Sequence, residues 1–357
     1  MYGPSARTGC KASALPLLFP NVHASGRRPS CRNFLLKGND VIYTVLRSVS
    51  ETTAEVSGVS PSNSDANQGI PQSDVWELDF CSRPMLDERG KKVWELLICD
   101  ATRSFVFARY FPNNKINSTE LKAALKEILS QPGVTKPSKV QFFRGQMQTI
   151  ISRALDDLDI KPVPSRRCFA LMELLEERRL AVYTQDERYS ERAVSMFQLD
   201  LAPPDEISDA LRGEQWSFVQ LPLSALAEES VAVANDKCFG ALLPSLLSLG
   251  LSEDTKIPGI AVFSRRAVPL AAWTNGLELA CMKADIDRSC ILLETGVRER
   301  WKYGAWRRSP EANEEAQNWE AAKAACKGLH FLALQTDPDA EQCSGLWVMR
   351  DLPPPTV

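Results

Sequence analysis

The stretch WELDFCSRPMLDERGKKVWELLICD, residues 76–100, repeats Trp-Glu-Leu and sets Glu77, Asp79, Glu95 and Asp100 on two short arms. Carboxylates at alternate positions of paired strands are the raw material of two-metal phosphodiester cleavage. There, several acids converge so that two divalent ions sit about 4 Å apart. The same spacing describes the solvated face of a hairpin, so the elements beside it must decide. A neighbouring strand would have to bring another acid against Asp79. The available run, KVQFFRG (139–145), holds no acid and carries Lys139 and Arg144 instead. An acid followed by Glu-x-Lys is also missing, because Glu95 precedes Leu96 and Leu97. The residue types favour the solvated face, with a metal-dependent nuclease using Asp79 and Glu95 as the alternative.

Cationic chemistry has better candidates. VPSRRCFAL (163–171) and VFSRRAVPL (262–270) share V-x-S-R-R before an apolar helical start. In each, Ser is a good helix N-cap and two arginines occupy the first turn. Arg166 with Arg167, and Arg265 with Arg266, would oppose the helix dipole unless an anion visits. Backbone N–H groups, the dipole and guanidinium forks together make a phosphate pocket. The alternative pairs these arginines with Glu173, Glu176 or Glu278.

A third candidate is VRERWKYGAWRR (297–308), the second arm of a hairpin turning near Gly296. Arg298, Arg300 and Lys302 share one face, Trp301 and Tyr303 the other, and Trp306 precedes Arg307 and Arg308. Cations beside aromatic rings suit single-stranded RNA, with arginines on phosphates and rings on bases at roughly 1–3 kcal/mol per base. Period-two alternation equally describes Trp301 and Tyr303 buried in a core. Residues 265–308 hold nine Lys/Arg against five acids, whereas residues 309–351 hold three against eight. Arg144 joins these cations as a candidate RNA contact.

The elements that must position these groups follow from periodicity. Trp76, Leu78 and Phe80, then Trp94, Leu96 and Ile98, mark two antiparallel strands around DERGK. Only a register of like parity gathers all six on one face, and it lets Arg83 face Glu95. SFVFARYF (104–111) is a third strand. Asn117 with Glu120 opens a helix by a capping box. Then follow the strand 139–145, a helix from Met147 to Leu158, the extended IKPVPS and a helix over 168–180. That βββαβαβα order is ribonuclease H-like. From Gln215 the pattern is strand, helix, strand (PGIAVFS), helix, two strands around Gly296, a helix over 311–326 and two closing strands. Gly240–Leu251 reads as a buried helix. The fold class is α/β (α+β), with two mixed-sheet domains at 75–190 and 215–355 and a linker at 191–214.

Bulk composition sets the frame. The 357 residues carry 42 Lys/Arg against 45 Asp/Glu, a net charge of −3. Residues 1–39 hold six bases (Arg7, Lys11, Arg27, Arg28, Arg32, Lys37) and no acid, leaving 36 bases against 45 acids for the rest. An acid-free Ser/Ala/Arg start without a long apolar stretch is expected of an organelle transit peptide over 1–47, and a Ser-rich disordered linker over 48–74. No run is long enough for a membrane span. Ten cysteines without a C-x-x-C pair indicate a reducing compartment, and with two histidines they offer no structural zinc site; neither a cofactor nor a small-molecule substrate is expected.

Several blocks together resemble one family: WELDFCSRPMLDERGKKVWELLICD, FFRGQM, VPSRR, IPGIAVFSRRAVPLAAW, GLHFLALQTDPD and SGLWVMRDLPPP. In this order they resemble the Tab/Atab family, RNA-binding translation factors of chloroplasts with cyanobacterial relatives, over about residues 75–355. The resemblance implies a non-catalytic protein of the stroma. It would bind the 5′ untranslated leader of a photosystem reaction-centre messenger, suggestively of photosystem I, and activate translation with other factors in a larger complex. A scaffold touching only protein is the remaining alternative.

Overall fold

The computed structural model describes residues 72–195, 199–235, 239–241, 249–340 and 343–356. The expected transit peptide and nearly all of the 48–74 linker lie outside these residues. The described chain forms two compact units, one holding residues 72–163, 168–195 and 355–356, the other 164–167 and 199–354.

In the first unit, alternating apolar residues build β1 (Val75–Leu86) and β2 (Lys92–Asp100). Their turn is closed by Asp87, whose carboxylate accepts the N–H groups of Arg89 and Lys91 at 3.0 and 2.8 Å. Gly90 there takes φ +72°, which side chains disfavour. The register pairs Trp76 with Asp100, Leu78 with Ile98 and Phe80 with Leu96, so the six apolar side chains share one face as their parity requires. Between Ser82 and Leu86 the pairing shifts, and this irregularity carries Arg83.

β3 (Val106–Phe111), α1 (Ser118–Leu129), β4 (Lys139–Phe142), α2 (Gln148–Asp156), β5 (Lys161–Pro164) and α3 (Phe169–Arg178) follow. Asn117 Oδ1 accepts the Glu120 N–H at 2.9 Å and starts α1. The sheet order is β3-β2-β1-β4-β5, with β1 antiparallel to β2 and parallel to β4. Trp76, Leu78, Phe80, Leu96 and Ile98 pack with α1 and α2 in one core. Burying large apolar side chains contributes roughly 1.5–3 kcal/mol each.

The second unit contains β6 (Asp205–Glu206), β7 (Gln215–Pro222), α4 (Leu223–Asn235), β8 (Phe239–Ala241), β9 (Lys256–Phe263) and α5 (Ala267–Asn275). β10 (Leu279–Asp285), β11 (Cys290–Thr295), β12 (Glu299–Ala305), α6 (Pro310–Ala325), β13 (Leu329–Gln335) and β14 (Gly345–Arg350) complete it. Two mixed sheets result, β10-β11-β12-β6 and β7-β9-β13-β14-β8. Residues of both, among them Ile260, Leu293, Leu332 and Trp347, share a core with α5 and with Trp319 of α6. The molecule is thus an α/β protein of mixed sheets.

Three local readings change. β10, a strand that sequence periodicity does not single out, pairs with β11. The stretch 191–214 is not merely connecting chain: β6 adds to the edge of β12, and Ile207 is buried in the core. The expected buried helix at Gly240–Leu251 falls mostly outside the described residues, and Phe239–Ala241 instead form a strand against β14.

Candidate functional site

The four carboxylates of β1 and β2 are not solvated. All four are buried. Glu77, Asp79 and Glu95 lie on the sheet face opposite the apolar one, which α3 and the turn Arg179–Tyr183 cover. Asp100, opposite Trp76 on the apolar side, is enclosed at the strand end by Ser73 and the 101–105 loop. The expectation of a wet hairpin face is therefore corrected, yet the acids do not gather for metal either. Asp79 accepts Arg83 Nη1 at 2.8 Å and Arg144 Nε at 2.7 Å. These two guanidiniums hold its carboxyl below the usual range against the opposing effect of burial. Glu95 accepts Arg83 Nε at 2.7 Å, the Tyr183 hydroxyl at 2.5 Å and Arg178. Asp100 accepts the N–H groups of Ser73 and Phe105 at 3.0 and 2.7 Å. Arg144, a sequence candidate for RNA contact, is thereby engaged in the interior and lies against the Phe143 ring at 4.9 Å.

Glu77 does a different job. Its Oε2 accepts the Leu171 N–H at 2.7 Å, in the first turn of α3, which has no acid of its own there. A carboxyl from β1 thus satisfies a helix start whose N-cap, Cys168, makes no side-chain cap. Burial raises the Glu77 pKa to about 8, with Glu173 and Asp100 adding to the rise.

The two V-x-S-R-R motifs fold alike locally. Ser165 Oγ accepts the Arg167 N–H at 3.0 Å, and Ser264 Oγ accepts the Arg266 N–H at 3.1 Å. Each serine closes a turn before the helix rather than capping it, which corrects the N-cap expectation. The first arginines then diverge. Arg166 is buried and ion-paired with Glu294 at 2.5 Å, with Asp351 at 3.7 Å. A phosphate cannot reach it without breaking that pair, so its expected role is corrected too. Arg265 is exposed and meets Glu214 at 3.2 Å. Arg266 donates to the carbonyls of Asp209 and Ala210 at 3.3 and 3.0 Å. Arg167 is half-buried, and its guanidinium has no ion-pair partner among the described residues.

Along β12 the cations do share an outward side. Arg298 meets Asp200 at 3.0 Å, Arg300 Nε donates to the Ala202 carbonyl at 2.7 Å, and Lys302 meets Glu206 at 2.8 Å. The aromatic residues do not form the expected stacking face. Tyr303 falls at a register shift between β11 and β12, is buried, and shares a hydrogen bond with Thr274. Trp301 is half-buried, edge-on to Trp273 at 5.3 Å, with its N–H on Thr295 Oγ1 at 3.1 Å. Arg307 is exposed without an ion-pair partner among the described residues. Arg308, also exposed, reaches Ser289 Oγ at 3.4 Å and the Asp287 carbonyl.

Arg178, Tyr183 and the segment 199–214 are absent from the sequence-based candidates. Their only advance signal is charge in apolar or Pro-rich surroundings. One more polar group is internal: His330 accepts the Met282 N–H on Nε2 at 2.9 Å and donates from Nδ1 to the Gly328 carbonyl at 2.8 Å. Burial and the nearby Lys323 push its pKa down to about 3, so it is neutral and structural. Among the described residues, no group of three or more His, Cys, Asp or Glu is disposed to hold a metal ion, and no helix is long and apolar enough to cross a membrane.

Fold and site define a mixed-sheet α/β protein in which arginines tie up the interior Asp79 and Glu95, while Arg298, Arg300 and Lys302 line up along β12 and the residue before it. The chain belongs to the Tab2/Atab2 family: residues 75–178 match the family described as RNA-binding protein Tab2/Atab2 N terminal, and residues 194–350 match its C-terminal domain. Among curated proteins it is similar to the chloroplastic TAB2 homologue of Zea mays, with 50% identity over 283 residues, covering 79% of this chain and 73% of the relative. It is also similar to the chloroplastic TAB2 homologue of Arabidopsis thaliana, with 46% identity over 308 residues and coverage of 86% and 81%. Solved structures with partial overlap include the HTLV-2 integrase catalytic core with magnesium (17% identity, TM-score 0.23, 32% of this chain and 75% of that one). The BIV integrase catalytic core overlaps similarly (17% identity, TM-score 0.24, 34% and 78%). Overlap at this level assigns no residue of this chain a role.

Proposed function

We propose that the protein binds the 5′ untranslated leader of a photosystem reaction-centre messenger in the chloroplast stroma and activates its translation without cleaving it. Family membership supports the RNA-binding part, and the two plant relatives, both chloroplastic, support the compartment. The observation that carries the non-catalytic part is the 2.7 Å contact of Arg144 Nε with Asp79 Oδ1. A guanidinium arrives beside Asp79 where two-metal chemistry needs a carboxylate. The reading treats the first unit as a ribonuclease H-like domain over 75–190, supported by its strand order and by β4 running parallel to β1. It treats 215–355, extended by β6, as the RNA-binding domain, preceded by a transit peptide and linker over 1–74.

Contacts are assigned to the cations Arg265, Arg266, Arg298, Arg300, Lys302, Arg307 and Arg308, and to the half-buried Arg167. Such binding weakens steeply with salt. The test is polarisation of a labelled leader RNA with mature protein, with and without Mg²⁺ or Mn²⁺. Salt-sensitive binding with intact RNA is expected, and Arg307→Glu with Arg308→Glu should weaken it. Cleavage that needs the divalent ion and disappears in Asp79→Asn would replace this reading with the nuclease. Crosslinking in plastid extract followed by RNA sequencing identifies the messenger.

A further inference from the structure

The cations of β12 and of the second V-x-S-R-R motif are not waiting open. Between residues 199 and 214 lie five acids, Asp200, Asp205, Glu206, Asp209 and Glu214, against one base, Arg212. Followed along the chain, Asp200 meets Arg298, the Ala202 carbonyl meets Arg300, and Glu206 meets Lys302. The carbonyls of Asp209 and Ala210 then take Arg266, and Glu214 takes Arg265. From Arg298 to Lys302 the acceptors thus follow the cations in a single direction, and β6 runs parallel to β12, with Asp205 opposite Trp301 and Glu206 opposite Lys302. Three of these acceptors are carboxylates, Asp200, Glu206 and Glu214, on a segment that turns at 208–212. Negative oxygens set in chain order against guanidinium and ammonium groups have the chemistry of a phosphodiester strand in a basic groove.

We propose that residues 199–214 act as an internal mimic of the RNA backbone, occupying the phosphate-tracking face of the second unit, so that RNA binds by exchanging phosphates for these carboxylates. The inference rests on the RNA-binding reading above. The exchange is physically accessible because the pairs are wet. Arg298 and Asp200 keep 59% and 74% of their side-chain surface, and Arg265 and Glu214 keep 87% and 45%. Exposed pairs of this kind hold weakly, whereas a polyanion that engages several cations releases its own counterions. The segment itself stays in place, since β6 is laddered to β12 and Ile207 is buried, so only side chains need to turn outward. The consequence is discrimination. A lone phosphate replaces one carboxylate and gains little, while a continuous strand replaces several at once.

The experiment compares full-length mature protein with Asp200→Asn plus Glu206→Gln, and with a charge-matched control, Glu314→Gln plus Glu315→Gln, on the exposed side of α6. The probe is a fluorescein-labelled, unstructured oligoribonucleotide titrated over a range of KCl, with thermal melting to confirm folding. The first double variant should bind several-fold tighter. Its plot of log K against log salt should steepen by about 1.4, from two freed cations at about 0.7 each on a single strand. The control should show neither change. Arg298→Gln with Lys302→Gln should weaken binding more in the Asp200→Asn/Glu206→Gln background than in the unaltered protein. If salt-sensitive binding is present but the two neutralised proteins behave alike, the mimic is overturned and the RNA-binding reading stands. If no folded variant binds RNA at any salt, the RNA-binding reading falls and the mimic with it.

Discussion

Arg83 and Arg298 carry the same guanidinium and meet the same kind of partner, yet they sit at opposite extremes. Arg83 is wholly buried between Asp79 and Glu95, which are themselves buried, while Arg298 keeps most of its surface beside Asp200. The first unit has used its charges to close a sheet face under α3. The second has laid its charges along an edge where water, and a competing anion, can reach them. Removing two charges from water is costly, so a buried pair is held by the cost of leaving one member alone. An exposed pair is held by little and can change partners. The same residue types therefore serve architecture in one region and exchange in the other.

The largest expected effect breaks the buried side of this comparison. Arg83→Met leaves Asp79 with Arg144 alone and takes from Glu95 one of its two guanidiniums, and the loss should be about 3–5 kcal/mol of unfolding free energy. Urea unfolding of the variant measures it. Adding Asp79→Asn and Glu95→Gln should deepen the loss, because Arg144 and Arg178 then stay in the interior without these carboxylates. A loss below about 1 kcal/mol, the range of surface pairs, would mean that the buried cluster behaves like the exposed one.

This contrast was only half legible in the sequence. Alternation put Trp76, Leu78 and Phe80 on one face of β1 and Glu77 and Asp79 on the other, and the observed register agrees. Period two says which residues share a face, but not whether a third element covers it. The groups that bury the acids are distant, with Arg144 65 residues from Asp79 and Arg178 83 residues from Glu95. Among local signals the capping box held, with Asn117 capping α1, whereas Ser165 and Ser264, read as caps, close turns ahead of their helices. In the second unit, parity placed Arg298, Arg300 and Lys302 together and Trp301 with Tyr303 on the other side, but it could not say that this other side faces the core shared with Leu293 and Trp319. The acids of 199–214 escaped notice because Pro203 and Pro204 interrupt any period that would have marked the segment as structure.

A smaller effect separates the units by pH. Glu77 has a folded pKa raised to about 8 from an ordinary 4.5, so the folded state holds a proton that the unfolded chain releases. Its contribution is fully present below about pH 4.5 and is lost as pH rises through 8, by up to about 1.4 kcal/mol per pH unit. His330 has the opposite sign. Its folded pKa of about 3 lies below the ordinary 6.5, so stability falls as pH drops from 6.5 toward 3. Melting temperatures across pH 5–9 should therefore flatten on the alkaline side in Glu77→Gln, which keeps a carbonyl for the Leu171 N–H. Between pH 5 and 6.5, where Glu77 and His330 oppose each other, that variant should lose stability more steeply as pH drops. An unaltered alkaline slope would show that Glu77 is already ionised in the folded protein.

The smallest effect sharpens the exposed side. Arg298→Gln removes the pair with Asp200, but both side chains remain more than half solvated. Water replaces what each loses, and the expected stability change is about 0–1 kcal/mol, shrinking further as salt screens the pair. The same substitution removes one phosphate contact, so RNA affinity should fall at low salt while the melting temperature hardly moves. That separation of affinity from stability is what an exchangeable cation requires. If Arg298→Gln instead lowered the melting point as Arg83→Met does, the file of cations on β12 would be part of the architecture, and the distinction between the two units would be one of position alone.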